Sequence, residues 1–453
     1  MKRINVIIAI FLVVIIFMGT SCKNKIKIPK NPKVYVIGID GADWDIIDPL
    51  IKQGKLSFFK KLKEESSWSR LKSFRPTLSA VIWTSIATGD TMIKHGIVDW
   101  LFVKENNIKV PYSNAEKRVP SIWEIFSNFG KKSIVLHWYV TYPPDHIKGV
   151  MVSDIFSVAM SEVFFNNKDY KDFKDTVYPE LYYNKMYRLL KKELTDNNIG
   201  YKEMLKYLEI PDYIEIYKKT YNEENAKRIP ILSNWRMYIL KDYIAEKTLY
   251  YFLRKSKFDM LLWYSRMPDV FKHFASIFMD KTYLEKINKL LASKKPIPEK
   301  TEKEFEAKLS PVVEPILKHK EKLLKAIYEK AKKENAYLII LSDHGFTLTT
   351  KGYDHHGLEK RIKAPDGILM ILGPDVKKNH EVKASVLDIT PTILYLSNKP
   401  LGKDMDGKPI IDAFQVRRKI TFKKYKKKQK IKKKENKEIN KKIMKDLKTI
   451  GYI

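Results

Sequence analysis

Three acidic residues close apolar runs in this chain, and two of them have a histidine close by. Asp40 directly follows the run 34–39, Asp269 lies five residues after Tyr264, and Asp343 follows Ser342. His273 comes four residues after Asp269, and His344 is the next residue after Asp343. A further histidine pair lies in Asp354-His355-His356-Gly357. Carboxylate and imidazole without thiolate suit Zn²⁺ or Mn²⁺. A lone acid at a strand end is usually a helix cap. It is the joint occurrence, in an order that one site would require, that points to a metal centre.

A hydroxyl is placed to work beside such a centre. In Arg75-Pro76-Thr77-Leu78-Ser79, Pro76 forces an extended approach. The sequence from Ser79 then reads as a compact apolar helix ending at the C-cap Gly89. Ser79 would sit at the helix N-terminus, where backbone N–H groups and the helix dipole favour a phosphate and an alkoxide. Read without the ligands, Ser79 would be an ordinary N-cap, and Thr77 competes with it as nucleophile.

The elements needed to position these groups are legible. Runs at 34–40, 133–140, 258–264, 336–342 and 367–373 are continuously apolar, as strands buried on both faces are. Helical periodicity lies between them, most clearly over 304–333. The alternation predicts an α/β sandwich with a mainly parallel central sheet. In such sheets ligands bind beyond the carboxyl ends of the strands, where the acids lie. Thr390-Pro391 reads as a helix start. The expected catalytic core covers 32–155 and 238–413. The Tyr-, Lys- and Asn-rich stretch 156–237 is expected to be a mostly helical cap insertion, and 414–453 a basic tail.

Composition narrows the setting. The chain has 453 residues and a formal charge of +33, and 17 basic against 3 acidic residues fall in 416–453. A tail of this kind suits anionic lipid or an acidic polymer. Cys22 is the only cysteine, which excludes an internal disulfide and a Cys-based zinc site. It ends a leader with a basic start, a 13-residue apolar run at 6–18 and the small residues Gly19-Thr20-Ser21. That run is shorter than a spanning helix requires. Residues 1–22 resemble a bacterial lipoprotein signal, although Gly19 stands where Leu is usual. The expectation is an exported protein, periplasmic or on the outer surface, held to the membrane by a lipid on Cys22 or by an uncleaved anchor. No specific protein partner is expected.

Taken together, Asp40, Ser79 nine residues before Thr88-Gly89, Asp269 with His273, Ser342-Asp343-His344-Gly345, and His356-Gly357 resemble the alkaline phosphatase superfamily. The nearest branch is the type I phosphodiesterase/nucleotide pyrophosphatase group. The similarity spans about 34–409, and Leu447-Lys-Thr-Ile-Gly-Tyr-Ile453 also resembles the ends of some bacterial members. The resemblance implies an alkaline phosphatase-like sandwich and two divalent metal ions, most simply Zn²⁺. It assigns Asp40, Ser79, Asp343 and His344 to one metal, and Asp269, His273 and His356 to the other. It also implies a phosphate-ester hydrolase, acting on diesters through a phospho-Ser79 intermediate. Two metals about 4 Å apart suit in-line phosphoryl displacement.

The chain departs from the pyrophosphatase pattern at Trp100. That residue stands where those enzymes place a phosphate-donating Asn, and it could instead line an aromatic subsite. Arg266 is a candidate phosphate contact. Alternatives within the superfamily are a phosphotransferase, a phosphomonoesterase or a sulfatase. The last is disfavoured because Ser79-Ala80-Val81-Ile82-Trp83 lacks the expected Pro and Arg. A non-catalytic, membrane-tethered binding protein with a basic tail is the alternative of another class.

Overall fold

The structure is a computed structural model. It describes residues 28–104, 107–165, 169–195, 230–255, 257–275, 281–293, 298–349, 352–354, 366–426, 428 and 437–450. Cys22, His355 and His356 lie outside the described residues, as does most of the second half of the expected insertion.

The organising element is a ten-stranded sheet. Its strands, in chain order, are β1 (Val34–Ile39), β2 (Ser67–Lys72), β3 (Ser133–Leu136), β4 (Gly149–Val152) and β5 (Val177–Tyr178). They continue with β6 (Met260–Ser265), β7 (Tyr337–Leu341), β8 (Gly367–Leu372), β9 (His380–Glu381) and β10 (Ala384–Ser385). The spatial order is β9-β2-β8-β7-β1-β6-β3-β4-β5, with β10 also on β2. Most pairs are parallel, including β7, β1, β6 and β3 at the centre. β8 is antiparallel to both of its neighbours.

The apolar runs are strands for the expected reason. All six residues of β1 are buried, and alternate ones face opposite layers. Tyr35, Ile37 and Ile39 join one hydrophobic core, and Val34 and Val36 the other. Register places Gly38 opposite both Tyr264 and Leu341. The carboxyl ends of three adjacent parallel strands are therefore level.

Helices cover both faces. The ones used below are α1 (Trp44–Lys52), α2 (Ser79–Thr88), α3 (Phe156–Phe165), α4 (Glu180–Thr195), α5 (Pro230–Lys255), α6 (Asp269–Ala275), α7 (Glu299–Lys333), α8 (Ile389–Leu396) and α9 (Lys437–Ile450). All ten residues of α2 are buried, which explains a helix that is apolar nearly all round. Gly89 ends it in the left-handed conformation at φ 75°.

Some boundaries differ from those expected. β3 stops at Leu136, because His137 and Val140 take positive φ values of 57° and 54° and turn the chain out of the sheet. α7 begins at Glu299, five residues earlier than its periodicity indicated. α8 starts at Ile389 rather than after a Thr390 cap, since the Thr390 hydroxyl donates to the carbonyl of Ile86 instead. Within 156–195, Phe156, Tyr183, Met186 and Leu190 enter the same core as Ile39, and β5 extends the sheet edge. Among the described residues, no helix is long and apolar enough to cross a membrane.

Candidate metal centre

The polar groups sit where the level strand ends deliver them. Asp40 leaves β1, Arg266 and Asp269 follow β6, and Ser342, Asp343 and His344 follow β7. Two glycines allow the close approach. A Cβ at Gly38 would lie 2.6 Å from the Trp83 ring, and one at Gly41 would lie 2.8 Å from the Cα of Asp269. Gly41 also has φ 71°, a conformation glycine adopts without penalty. The Asp269 N–H donates to the Asp40 carbonyl at 3.0 Å, so these two strand ends are joined through the backbone.

Nε2 of His344 is the geometric centre of the site. Around it lie Asp343 Oδ2 at 3.2 Å, Ser79 Oγ at 3.3 Å, Asp40 Oδ1 at 3.4 Å and Asp269 Oδ1 at 4.0 Å. Nδ1 lies 3.1 Å from the Gly345 carbonyl oxygen, which can only accept. With its proton on Nδ1, the imidazole would donate to that carbonyl and leave the Nε2 lone pair free for a cation. This is the tautomer a metal ligand needs. It also separates the site from a serine-protease triad, where the acid would hold Nδ1 while Nε2 meets the serine.

A second group continues from the first. His273 lies one turn beyond Asp269 on α6, with its Nε2 3.7 Å from Asp269 Oδ1. Its ring and that of His344 both pack against Phe346. Asp269 thus stands between the two imidazoles.

The electrostatics call for a cation. Asp40, Asp269, Asp343 and His344 are all buried. Asp40 Oδ2 accepts from Trp83 Nε1 at 3.1 Å and Tyr264 OH at 2.5 Å. Oδ1 of Asp40 and both carboxylate oxygens of Asp343 find no hydrogen-bond donor but each other's carboxyl among the described residues. Burial, and then the charge of Asp40, hold the Asp343 carboxyl well above the usual carboxylate range. Burial raises Asp40 as well, against opposing contacts from Asp343, Tyr264 and Trp83. Bare acid oxygens cost free energy in such a place unless paired. An oxygen-rich set with imidazole nitrogen fits a divalent ion of the Zn²⁺ or Mn²⁺ type. Asp40, Asp269 and His344 each offer a ligand atom within 4.8 Å of the other two.

The structure therefore gathers Asp40, Ser79, Asp269, His273, Asp343 and His344, six of the seven residues expected at the metals. Ser79 is the first residue of α2 and fully buried. Thr77, also buried, lies just outside the helix. Trp100 and Arg266 line a partly open cavity that also reaches Ala80, the residue after Ser79. There the Arg266 guanidinium lies over the Tyr139 ring, and Trp100 meets the same ring edge-on.

Sequence reasoning missed several supports. Tyr264 and Trp83 were read as strand and helix packing, yet both hydrogen bond Asp40. Ser342 Oγ accepts from Ala42 N at 2.9 Å and so braces the turn after Asp40. Lys272, fully buried, pairs with Asp43 and donates to the Gly41 carbonyl at 2.8 Å, tying α6 to that turn. A Lys beside a candidate His ligand was the available signal.

Comparison with known proteins identifies the family. The sequence profile of the type I phosphodiesterase/nucleotide pyrophosphatase family matches residues 34–430. No curated protein matches the chain. Among solved structures, human ectonucleotide pyrophosphatase/phosphodiesterase 5 is similar at 13% identity and a TM-score of 0.47, over 85% of this chain and 100% of that one. A putative sulfatase from Bacteroides thetaiotaomicron is similar at 11% identity and a TM-score of 0.49, over 86% of this chain and 75% of its own. The phosphonate monoester hydrolase of Silicibacter pomeroyi is similar at 14% identity and a TM-score of 0.39, over 84% and 75%. The chain is thus an enzyme of the type I phosphodiesterase/nucleotide pyrophosphatase family.

Proposed function

We propose that the chain hydrolyses phosphodiesters at a two-metal centre, with Ser79 as the nucleophile. The observation that carries this reading is the ring of Ser79, Asp40, Asp269 and Asp343 oxygens around His344 Nε2. Asp40, Asp343, His344 and Ser79 would hold one divalent ion; Asp269, His273 and His356 would hold the other. When bound, these ions, most simply Zn²⁺, supply positive charge that lowers the pKa of the Ser79 hydroxyl and offsets charge on the phosphoryl group.

The chain's own groups do the rest. Ser79 Oγ, at the positive end of α2, attacks phosphorus in line with the departing ester oxygen. The P–O bond to the leaving group breaks as the Ser79–phosphorus bond forms. Water then cleaves the phosphate ester on Ser79, restoring the hydroxyl and releasing the phosphomonoester that keeps the second substituent. Arg266 would contact a phosphate oxygen. The aromatic cavity beside Ala80 offers room for the second substituent of a diester, which favours diesters over monoesters.

Turnover of bis-p-nitrophenyl phosphate, p-nitrophenyl phosphate and p-nitrophenyl sulfate tests this. The expected order is diester above monoester, with little sulfate turnover. Ser79→Ala should lower diester turnover by at least about a thousandfold. Wild-type rates in that variant would contradict the nucleophile assignment.

Export and lipid attachment at Cys22 belong to the same proposal and rest on the leader sequence alone. The mass of the mature protein extracted from membranes tests them, with a lipidated Cys22 as the expected first residue. The basic tail, for its part, is proposed to meet anionic lipid or polymer through its outward lysines.

A further inference from the structure

The C-terminal segment is too basic to suggest a core element, yet parts of it fold inward. Lys428 has a side chain only 2% exposed. Its Nζ meets Asp145 Oδ1 at 2.5 Å, Asn114 Oδ1 at 2.8 Å and Glu124 Oε2 at 3.2 Å. An ammonium group leaves water only when partners are provided, so this contact docks the segment at one place. Beyond it, α9 carries Ile439, Ile443 and Leu447 at four-residue spacing, one stripe of a helix. Ile439 enters the core shared with α3, and Leu447 enters the core on the other face of the sheet. Lys442 pairs with Glu162 of α3.

Half-buried Ile443 packs against both cores, and its remaining surface faces the cavity beside the nucleophile. Asn440, Ile443 and Leu447 line that cavity together with Ala80, Trp100 and Arg266. The cavity therefore has a wall drawn from the last turns of the chain, more than 350 residues after Ser79.

We propose that α9 is a specificity element of the enzyme, with Ile443 setting the size of ester substituent that the cavity accepts. The occupant is an apolar or aromatic group carried by the phosphodiester. This rests on Ser79 being the nucleophile. The Lys428 contact and the Lys442–Glu162 pair hold the wall in place, and Ile443 is the residue that touches substrate.

The test uses the full-length, metal-replete protein and p-nitrophenyl phosphodiesters whose second substituent is methyl, phenyl or naphthyl. All three release the same chromophore. The readout is the ratio of kcat/KM for naphthyl over methyl, which general loss of stability does not shift. Ile443→Trp fills the cavity and should lower the ratio about tenfold, while Ile443→Ala widens it and should raise the ratio about threefold. A ratio within twofold of wild type in both variants would overturn the proposal. If Ile443→Trp does not fold, the direction of the Ile443→Ala change decides alone.

Binding of 1-naphthyl methylphosphonate, followed by calorimetry, needs no turnover. Its Kd should weaken about tenfold in Ile443→Trp. A wild-type protein inert toward every ester would remove the Ser79 reading. The titration would still decide the wall, with an unchanged Kd counting against it.

Discussion

Two clusters of buried acids lie close together in this molecule, and they solve the same electrostatic problem differently. Between α5 and α7, Lys320 Nζ meets Asp242 Oδ2 and Glu246 Oε1, each at 2.7 Å. His319 meets the other Glu246 oxygen at 2.9 Å, and Ser265 Oγ donates to Asp242 at 2.7 Å. Burial alone would lower the Lys320 ammonium and raise the Glu246 carboxyl. The partner charges overcome burial and hold Lys320 above, and Glu246 below, their usual ranges.

At the strand ends the balance is reversed. Burial dominates, and Asp343 and Asp40 stay raised. Lys272, one residue from His273, pairs with Asp43 rather than with these acids. One cluster carries its cation in the chain, whereas the other, in the function proposed above, would receive one. A chain that holds a lysine 0% exposed between two carboxylates in one place could have done so in the other.

The comparison can be broken in four ways. Lys320→Met should lower stability in urea by about 3–5 kcal/mol, because it leaves two uncompensated buried acids, while bound metal stays unchanged. Loss of metal from Lys320→Met would merge the two clusters into one. Free metal at a thousand times its Kd should stabilise the wild type by roughly 4 kcal/mol, and chelation with EDTA should remove that gain and lower the thermal midpoint. An unchanged midpoint would remove the cation from the strand ends.

Tyr264→Phe deletes a hydrogen bond to Asp40 and should weaken metal affinity about 10- to 100-fold, measured by competition with a chromophoric chelator. Unchanged affinity would mean that Tyr264 serves packing alone. The smallest effect has the most telling sign. Asp343→Asn should make the metal-free protein more stable, by about 1 kcal/mol, because it removes the cost of burying that carboxyl beside Asp40 and Asp269. A loss of stability there would mean that Asp343 is held by the chain itself.

Much of this was legible in the sequence. Continuous apolar runs marked β1, β6 and β7, and the acids closing them marked the site, because a parallel sheet delivers its strand ends to one edge. Ser79 was legible because Pro76 and Gly89 bracket a helix. What escaped was long-range: Tyr264 and Trp83 reach Asp40 only once Gly38 lets Trp83 lie against the sheet. Periodicity reports which face a residue occupies, not which atom its polar tip meets. The tail failed for the opposite reason. Its charge pointed outward and was real, but it hid the Ile439, Ile443 and Leu447 stripe and the inward turn of Lys428.

Metal content tests the central claim most directly. Folded protein saturated with Zn²⁺, freed of loose ions and measured by elemental mass spectrometry, should carry about two ions per chain. The same measurement on Asp343→Asn should show metal lost, and on Lys320→Met metal retained. A folded, metal-replete wild type with no bound ion would contradict the account.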